Sequence, residues 1–365
     1  MEDLKREIKI SGFPTEDEIL EALPTYLKIE SAPPDLDFNM SDSSLTLRIK
    51  GLDKPALMSP IGLKAFLKIL GLSESILKKI PYNDLIVQIL HKLHEYKGNV
   101  ITFVIYKDND DYYVVGAYSE KFYMDNRAFV KSAFEFLQEN STYTGIKAVI
   151  SHQQVEIIAI TESLINVDQA IYNTGFVFIS SETGHTKAGF ISCLKESNKE
   201  SYVYFKKKIE NIKVSAFLNN KKPNCNINKV FKKMEDVNKE LTEYLDGALN
   251  ALSSTKPSIK EVEDIYKKVV KLGCYQPEEI TQDLGINTYL DKNKEGQWPI
   301  KTEPAYKYIH FMHDVNMLDY LVYLTDISKN TESYEISYDS KIIAGELLNK
   351  FWDWDIVNKE VNENK

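Results

Sequence analysis

The stretch Phe176–Phe190, FVFISSETGHTKAGF, places an apolar run, a polar turn and a second apolar run in succession. β-Formers on both sides of a Ser/Thr/Gly cluster are the pattern of a hairpin. Ser180 and Ser181 can bond their own backbone, and Gly184 can take a positive φ. The turn also brings Ser181, Glu182 and His185 within five residues. A catalytic triad draws its members from separate backbone supports around a buried orienting acid, which neighbouring turn residues do not provide. No G-x-x-x-x-G-K-[ST] is present, so the turn is no P-loop. It reads as a bend with a binding edge, and no catalytic residue is assigned.

Working outward, the same logic yields earlier hairpins. Val100–Ser119 holds two β-rich runs around the turn formers Asp108, Asn109 and Asp110, and Gly145–Ile160 bends at Ser151-His152-Gln153-Gln154. Between them, Asp125 or Asn126 can cap a helix through about Gln138 that buries Phe129, Ala133, Phe134 and Leu137. Upstream, Ser59 and Pro60 open a helix that ends at Gly71, a short helix follows in SESILKKIP, and a third spans about Asn83–Tyr96. The first 58 residues, with Pro14, Pro24, Pro33, Pro34 and Pro55, read as an extended acidic arm with edge strands. Downstream, Val230, Met234, Val237, Leu241, Leu245, Ala248 and Leu252 mark one helical face from Asn228. Ser258 with Glu261 opens a helix over Ile259–Leu272, giving a helical hairpin.

The expected fold is therefore α+β: an antiparallel sheet of successive hairpins with an inserted helix, a helical amino-terminal block and a helical carboxy-terminal region. The expected divisions are 1–58 (arm), 59–99 (helical block), 100–227 (β-rich core with one helix) and 228–365 (helical region).

The chain has 365 residues, a net charge of -9 and 43% hydrophobic content, enough for a folded protein of about two domains. The amino terminus has no signal-peptide pattern, and no apolar run approaches the ~18 residues of a membrane span, so a cytoplasmic protein of the host cell with no membrane partner is expected. Cys193, Cys225 and Cys274 are far apart and form no zinc-knuckle or disulfide pattern. His91/His94 and His310/His313 are H-x-x-H pairs without the glutamate of a zincin motif. No metal or cofactor is assigned.

Charge is unevenly placed. Residues 11–44 carry eight acids against Lys28 alone, whereas residues 187–233 carry twelve lysines and three glutamates. Tyr202 and Tyr204 lie within this lysine-rich stretch. Aromatic stacking beside phosphate-neutralising cations is the composition of a single-strand binding surface, here Tyr202, Tyr204, Lys206, Lys207, Lys208, Lys221, Lys222, Lys232 and Lys233. A solvated lysine face and simple β-forming tyrosines account for the same residues. A second cluster lies on an almost wholly apolar helix over Tyr306–Leu324, where Tyr306, His313, Asn316 and Tyr320 share one side and should form a buried polar network.

Three segments in order, YSEKFYMDNRAFVKSAFEF, GFVFISSETGHTKAGFISCLKES and YIHFMHDVNMLDYLVYL followed by AGELL, resemble the phage and plasmid-like family of domains of unknown function numbered 932. Ser119, Tyr123, Asp125 and Asn126 match its helix-opening pattern. Ser181, Glu182 and Gly184 match its hairpin, Cys193 its cysteine and Asn316 its late asparagine. The chain departs at Ser180, Met312 and Asp319, and lacks C-x-N-G after Cys193. The resemblance implies a phage or mobile-element setting and no particular activity. Two readings follow: a non-enzymatic accessory protein that binds single-stranded nucleic acid, or a structural component that binds a protein partner or its own copies. An enzyme ranks behind both.

Overall fold

The structure, a computed structural model, describes residues 8–10, 14–41, 44–73, 81–98, 100–119, 123–140, 143–168, 170–206, 209, 212–219, 226–255, 268, 316–331, 334 and 336–348. The fold is α+β with two mostly antiparallel sheets. One sheet is ordered β1-β8-β9-β10-β11-β12, with β13 beside β11. Its strands are β1 (Ile8–Ile10), β8 (Tyr143–Ile150), β9 (Val155–Val167), β10 (Ala170–Ser180), β11 (Gly189–Glu196), β12 (Tyr202–Phe205) and β13 (Ser215–Phe217). The other is ordered β2-β6-β7-β5-β4-β3, from β2 (Tyr26–Ser31), β3 (Asp37–Ser41), β4 (Ser44–Arg48), β5 (Ala56–Met58), β6 (Ile101–Asp108) and β7 (Asp111–Tyr118). Chain contacts divide into two compact units: 1–159 with 177–190 and 216–232, and 160–176 with 191–215 and 233–365.

The first unit holds the six-stranded sheet. Its apolar face takes alternate residues of the strands, among them Leu45, Leu47, Ile101, Phe103, Ile105 and Val114. Helices α2 (Pro60–Ile69) and α3 (Tyr82–Glu95) bury Phe66, Leu67, Leu85, Ile89 and Leu93 against it. Ser59 starts α2 by accepting the Gly62 N–H at 3.0 Å and donating to the Val114 carbonyl at 2.6 Å, which ties the helix start to β7. Helix α4 (Asn126–Glu139) is capped by Asp125. It joins Phe129 and Phe136 to Phe178 of β10 and Phe231 of α5 (Asn228–Phe231) in an aromatic cluster with centroids 4.8 to 6.1 Å apart.

This arrangement corrects the expected divisions. The arm is no separate piece: β2 and β3 are edges of the sheet, while β4 and β5 lie inside it. It also contains a helix, α1 (Glu16–Ala22), started by a Thr15/Glu18 capping box. The helical block is one layer of the same core, and β6 and β7 belong to this sheet with β5 parallel to β7.

In the second unit, α6 (Met234–Ser254) and α7 (Met317–Asn330) pack together, and the Met317 N–H donates to the Thr255 carbonyl at 3.0 Å. All seven residues of the expected stripe are buried, yet the helix is interrupted at Lys232 and Lys233 and splits into α5 and α6. Thr174 of β10 donates to Asn238 at 3.0 Å and lies 3.3 Å from Thr242, so polar residues also join the sheet to α6. Helix α8 spans 336–348. The SESILKKIP helix and, apart from Lys268, the Ile259–Leu272 helix lie outside the described residues.

Asn316 gives a second correction. It does not sit within a continuous buried helix: its backbone is extended and it caps α7, accepting from Asp319 N–H at 3.1 Å while Asp319 accepts from Asn316 N–H at 2.8 Å. An asparagine bonded to the first turn is a start signal and is half-exposed here. Tyr306 and His313 lie outside the described residues. Tyr320 is buried, and its hydroxyl has no hydrogen-bond partner among the described residues.

Candidate functional site

The opening hairpin forms as expected. β10 ends at Ser180, β11 starts at Gly189, and Gly184 takes a φ of +89° at the bend. The turn rests on the second face of the six-stranded sheet, where Val104 and Val115 are surrounded by Tyr26, Tyr106, Tyr113 and Tyr118. A β-bulge prepares that surface. Val104 faces Gly116 and Ile105 faces Val114, leaving Val115 as the extra residue. Its freed carbonyl accepts from His185 Nε2 at 3.3 Å. Gly116 lets the turn approach closely, since a Cβ there would lie 2.1 Å from the Thr183 carbonyl oxygen.

Glu182 is the hub of the turn. Its carboxylate lies 2.8 Å from Lys28 Nζ and accepts the Asn126 N–H at 3.2 Å, at the positive end of α4. Thr183 Oγ1 donates to the His152 carbonyl at 2.9 Å, and Ser181 Oγ accepts the His185 N–H at 3.0 Å. His152 shares a 3.1 Å hydrogen bond with the Tyr26 hydroxyl, and its ring lies 4.5 Å from that of Tyr106. Burial pulls the His152 imidazole down to about 4, so it is neutral at neutral pH. Burial, reinforced by Glu182, raises the Tyr26 hydroxyl well above its ordinary value and pushes Tyr118 up to about 12. Ser181 thus bonds within the turn, whereas Glu182 reaches Lys28 and Asn126 and the His185 ring reaches Val115, and the turn works as a clasp on the sheet.

Further residues gather at this clasp. Tyr123 lies 4.8 Å from Tyr118, Asp125 caps α4, Asn126 meets Glu182, and Gly184 packs beside Tyr118. Asn126 Oδ1 is buried without a hydrogen-bond partner among the described residues. Cys193 and Asn316 belong to the second unit, buried in β11 and capping α7. His152 was legible in sequence only as part of a bend.

The expected lysine and tyrosine site separates into different roles. Tyr202 is 5% exposed and Tyr204 0%, and every residue of β12 is buried, so neither ring offers the free face that base stacking needs. They are core residues: Tyr204 packs edge-on against Tyr338 at 5.8 Å, with Lys341 Nζ 4.9 Å from its ring. Lys206, Lys232 and Lys233 are exposed, whereas Lys207, Lys208, Lys221 and Lys222 lie outside the described residues.

A different aromatic pair stands beside Lys206. Tyr334 and Tyr338, both half-buried, stack with centroids 6.1 Å apart and planes 24° apart. Lys206 Nζ lies 5.7 Å from the Tyr338 centroid. The cation therefore meets a two-ring ladder backed by buried Tyr204. The signal was present in sequence as Tyr334 and Tyr338 at i, i+4 on a helix.

Among the described residues no helix is long and apolar enough to cross a membrane, and no group of three or more His, Cys, Asp or Glu is placed to hold a metal ion. Compared with known proteins, the chain matches no family model, no curated protein and no solved structure.

Proposed function

We propose that this protein is a non-enzymatic accessory protein of a phage or plasmid-like element that binds single-stranded nucleic acid. The observation that carries the reading is Lys206 beside the stacked Tyr334/Tyr338 pair. Stacking on an aromatic face is indifferent to base identity, and an adjacent lysine neutralises the phosphate that follows the stacked base. Tyr204 supports the ladder from inside the core, edge-on to Tyr338. The phage or plasmid setting rests on the motif resemblance, and the gathering of Tyr123, Asp125, Asn126, Glu182 and Gly184 around one clasp supports treating those residues as a unit.

Fluorescence anisotropy with a labelled single-stranded oligonucleotide tests the assignment. Lys206→Ala and the double change Tyr334→Ala with Tyr338→Ala should each weaken binding by about tenfold or more, since base–aromatic stacking contributes about 1–3 kcal/mol per base. Binding unchanged in both variants would remove the ladder from the site.

A further inference from the structure

Two legs of chain join β12 to β13, one holding Lys206 and Ile209 and the other Ile212–Ser215, and they pair antiparallel. At the base, Ser215 Oγ donates to the Lys206 carbonyl at 2.9 Å. Further out, Ile209 and Ile212 form an antiparallel bridge, with N–H···O distances of 3.1 and 2.8 Å. Three residues on from Lys206 and three back from Ser215 reach Ile209 and Ile212, so both contacts share one register. The apolar side of the legs is anchored: Ile209, Ile212 and Val214 are buried, and the Val214 carbonyl accepts the Ser192 N–H of β11 at 2.7 Å. Lys206 and Lys213 are exposed. The Val214 N–H reaches back to the Ile212 carbonyl at 3.1 Å, a three-residue turn that places Lys213 at its apex, away from the buried side.

In that register Lys213 stands diagonal to Lys206, and diagonal neighbours of an antiparallel pair lie about 7–8 Å apart. Each ammonium rides on a flexible four-carbon stem, so two of them at that separation can meet successive phosphates of one extended strand. Lys206 already stands 5.7 Å from the Tyr338 ring. We infer that Lys213 is a second phosphate contact of the same site: the single strand leaves the Tyr334/Tyr338 ladder along the paired legs and is neutralised at two consecutive phosphates. Ser215, by holding the Lys206 carbonyl, fixes the spacing of the two cations. The inference rests on the nucleic-acid reading of Lys206, Tyr334 and Tyr338, and adds to it the path of the strand and a contact residue.

Fluorescence anisotropy of the full chain with a labelled oligothymidylate, titrated over a series of salt concentrations, tests it. Lys213→Ala should weaken binding at low salt and flatten the slope of log K against log salt by about 0.7, the share of one phosphate on a single strand. It should leave the melting temperature unchanged, because the side chain is exposed. Combined with Lys206→Ala it should flatten the slope by about twice as much, and Lys213→Arg should keep the wild-type slope because the charge is retained. Lys239→Ala, at a lysine of α6 that is 87% exposed, should leave the slope as it is. A slope that falls with Lys206→Ala but not with Lys213→Ala would overturn this inference and leave the ladder standing. An equal fall with Lys239→Ala would also overturn it, by showing that the effect is diffuse charge. No binding by the wild type at low salt would overturn both this inference and the reading beneath it.

Discussion

Glu182, at the tip of the hairpin, lies 2.8 Å from Lys28 on the edge strand β2, and the same carboxylate accepts the Asn126 N–H that opens α4. Three pieces of chain distant in sequence are joined through one side chain. Glu182→Ala should therefore destabilise the protein by about 1–3 kcal/mol, since a buried N–H is left without its acceptor. Lys28→Met should cost less, because the Lys28 side chain is 33% exposed and solvent screens its share. Urea denaturation at neutral pH measures both, and a Glu182→Ala variant as stable as wild type would contradict the clasp.

His152 supplies a pH signature. Its imidazole, held down by burial to about 4, has an ordinary value of about 6.5 once unfolded. Above that value it is neutral in both states. As pH falls from about 6.5 towards 4, the unfolded chain takes up a proton that the folded chain refuses, so stability declines by at most about 3 kcal/mol and this contribution is lost below the folded value. His152→Gln should flatten the difference in unfolding free energy between pH 7 and pH 4 relative to wild type. Parallel pH profiles would show that His152 is not buried neutral.

Gly116 and Gly145 make a matched pair of probes. Both lie in strands, but a Cβ at Gly116 meets the Thr183 carbonyl oxygen at 2.1 Å, whereas one at Gly145 meets nothing within 4 Å. Gly116→Ala should cost about 1–3 kcal/mol by pushing the turn off the sheet, and Gly145→Ala should be neutral or slightly stabilising. Thermal melts of the two variants would reveal an error if they moved together.

Asn316 separates a cap from a network member. Asn316→Ala should cost about 1 kcal/mol and Asn316→Asp very little, because aspartate caps equally well. A loss of similar size for Asp would mean that the asparagine amide has a partner beyond the capping box.

What was legible in the chain follows from how local its cause is. The hairpin with its bend at Ser181–Thr186, the Ser59 and Asp125 caps and the stripe from Val230 to Leu252 rest on nearest-neighbour chemistry and are found in the structure. The Thr15/Glu18 capping box was equally local but lay among prolines that suggested extended chain. Tyr202 and Tyr204 show the limit. Alternation puts both rings on one face of β12, but whether that face meets water depends on α8, more than a hundred residues later, where a Cβ on Gly345 would lie 2.2 Å from the Tyr204 carbonyl oxygen. The bulge at Val115 and the docking of His152 against Tyr26 likewise depend on strands that meet only in the folded sheet.

The most direct test of the nucleic-acid reading is the salt dependence of single-stranded oligonucleotide binding by the full chain. If Lys206 neutralises a phosphate while Tyr334 and Tyr338 hold the bases, log K should fall linearly with log salt, with a slope of about -0.7 for each phosphate contacted. Lys206→Ala should reduce that slope by about one such contact, and the double tyrosine variant should weaken binding at every salt concentration while leaving the slope unchanged. No detectable binding at low salt, or a slope that Lys206→Ala leaves untouched, would contradict the assignment.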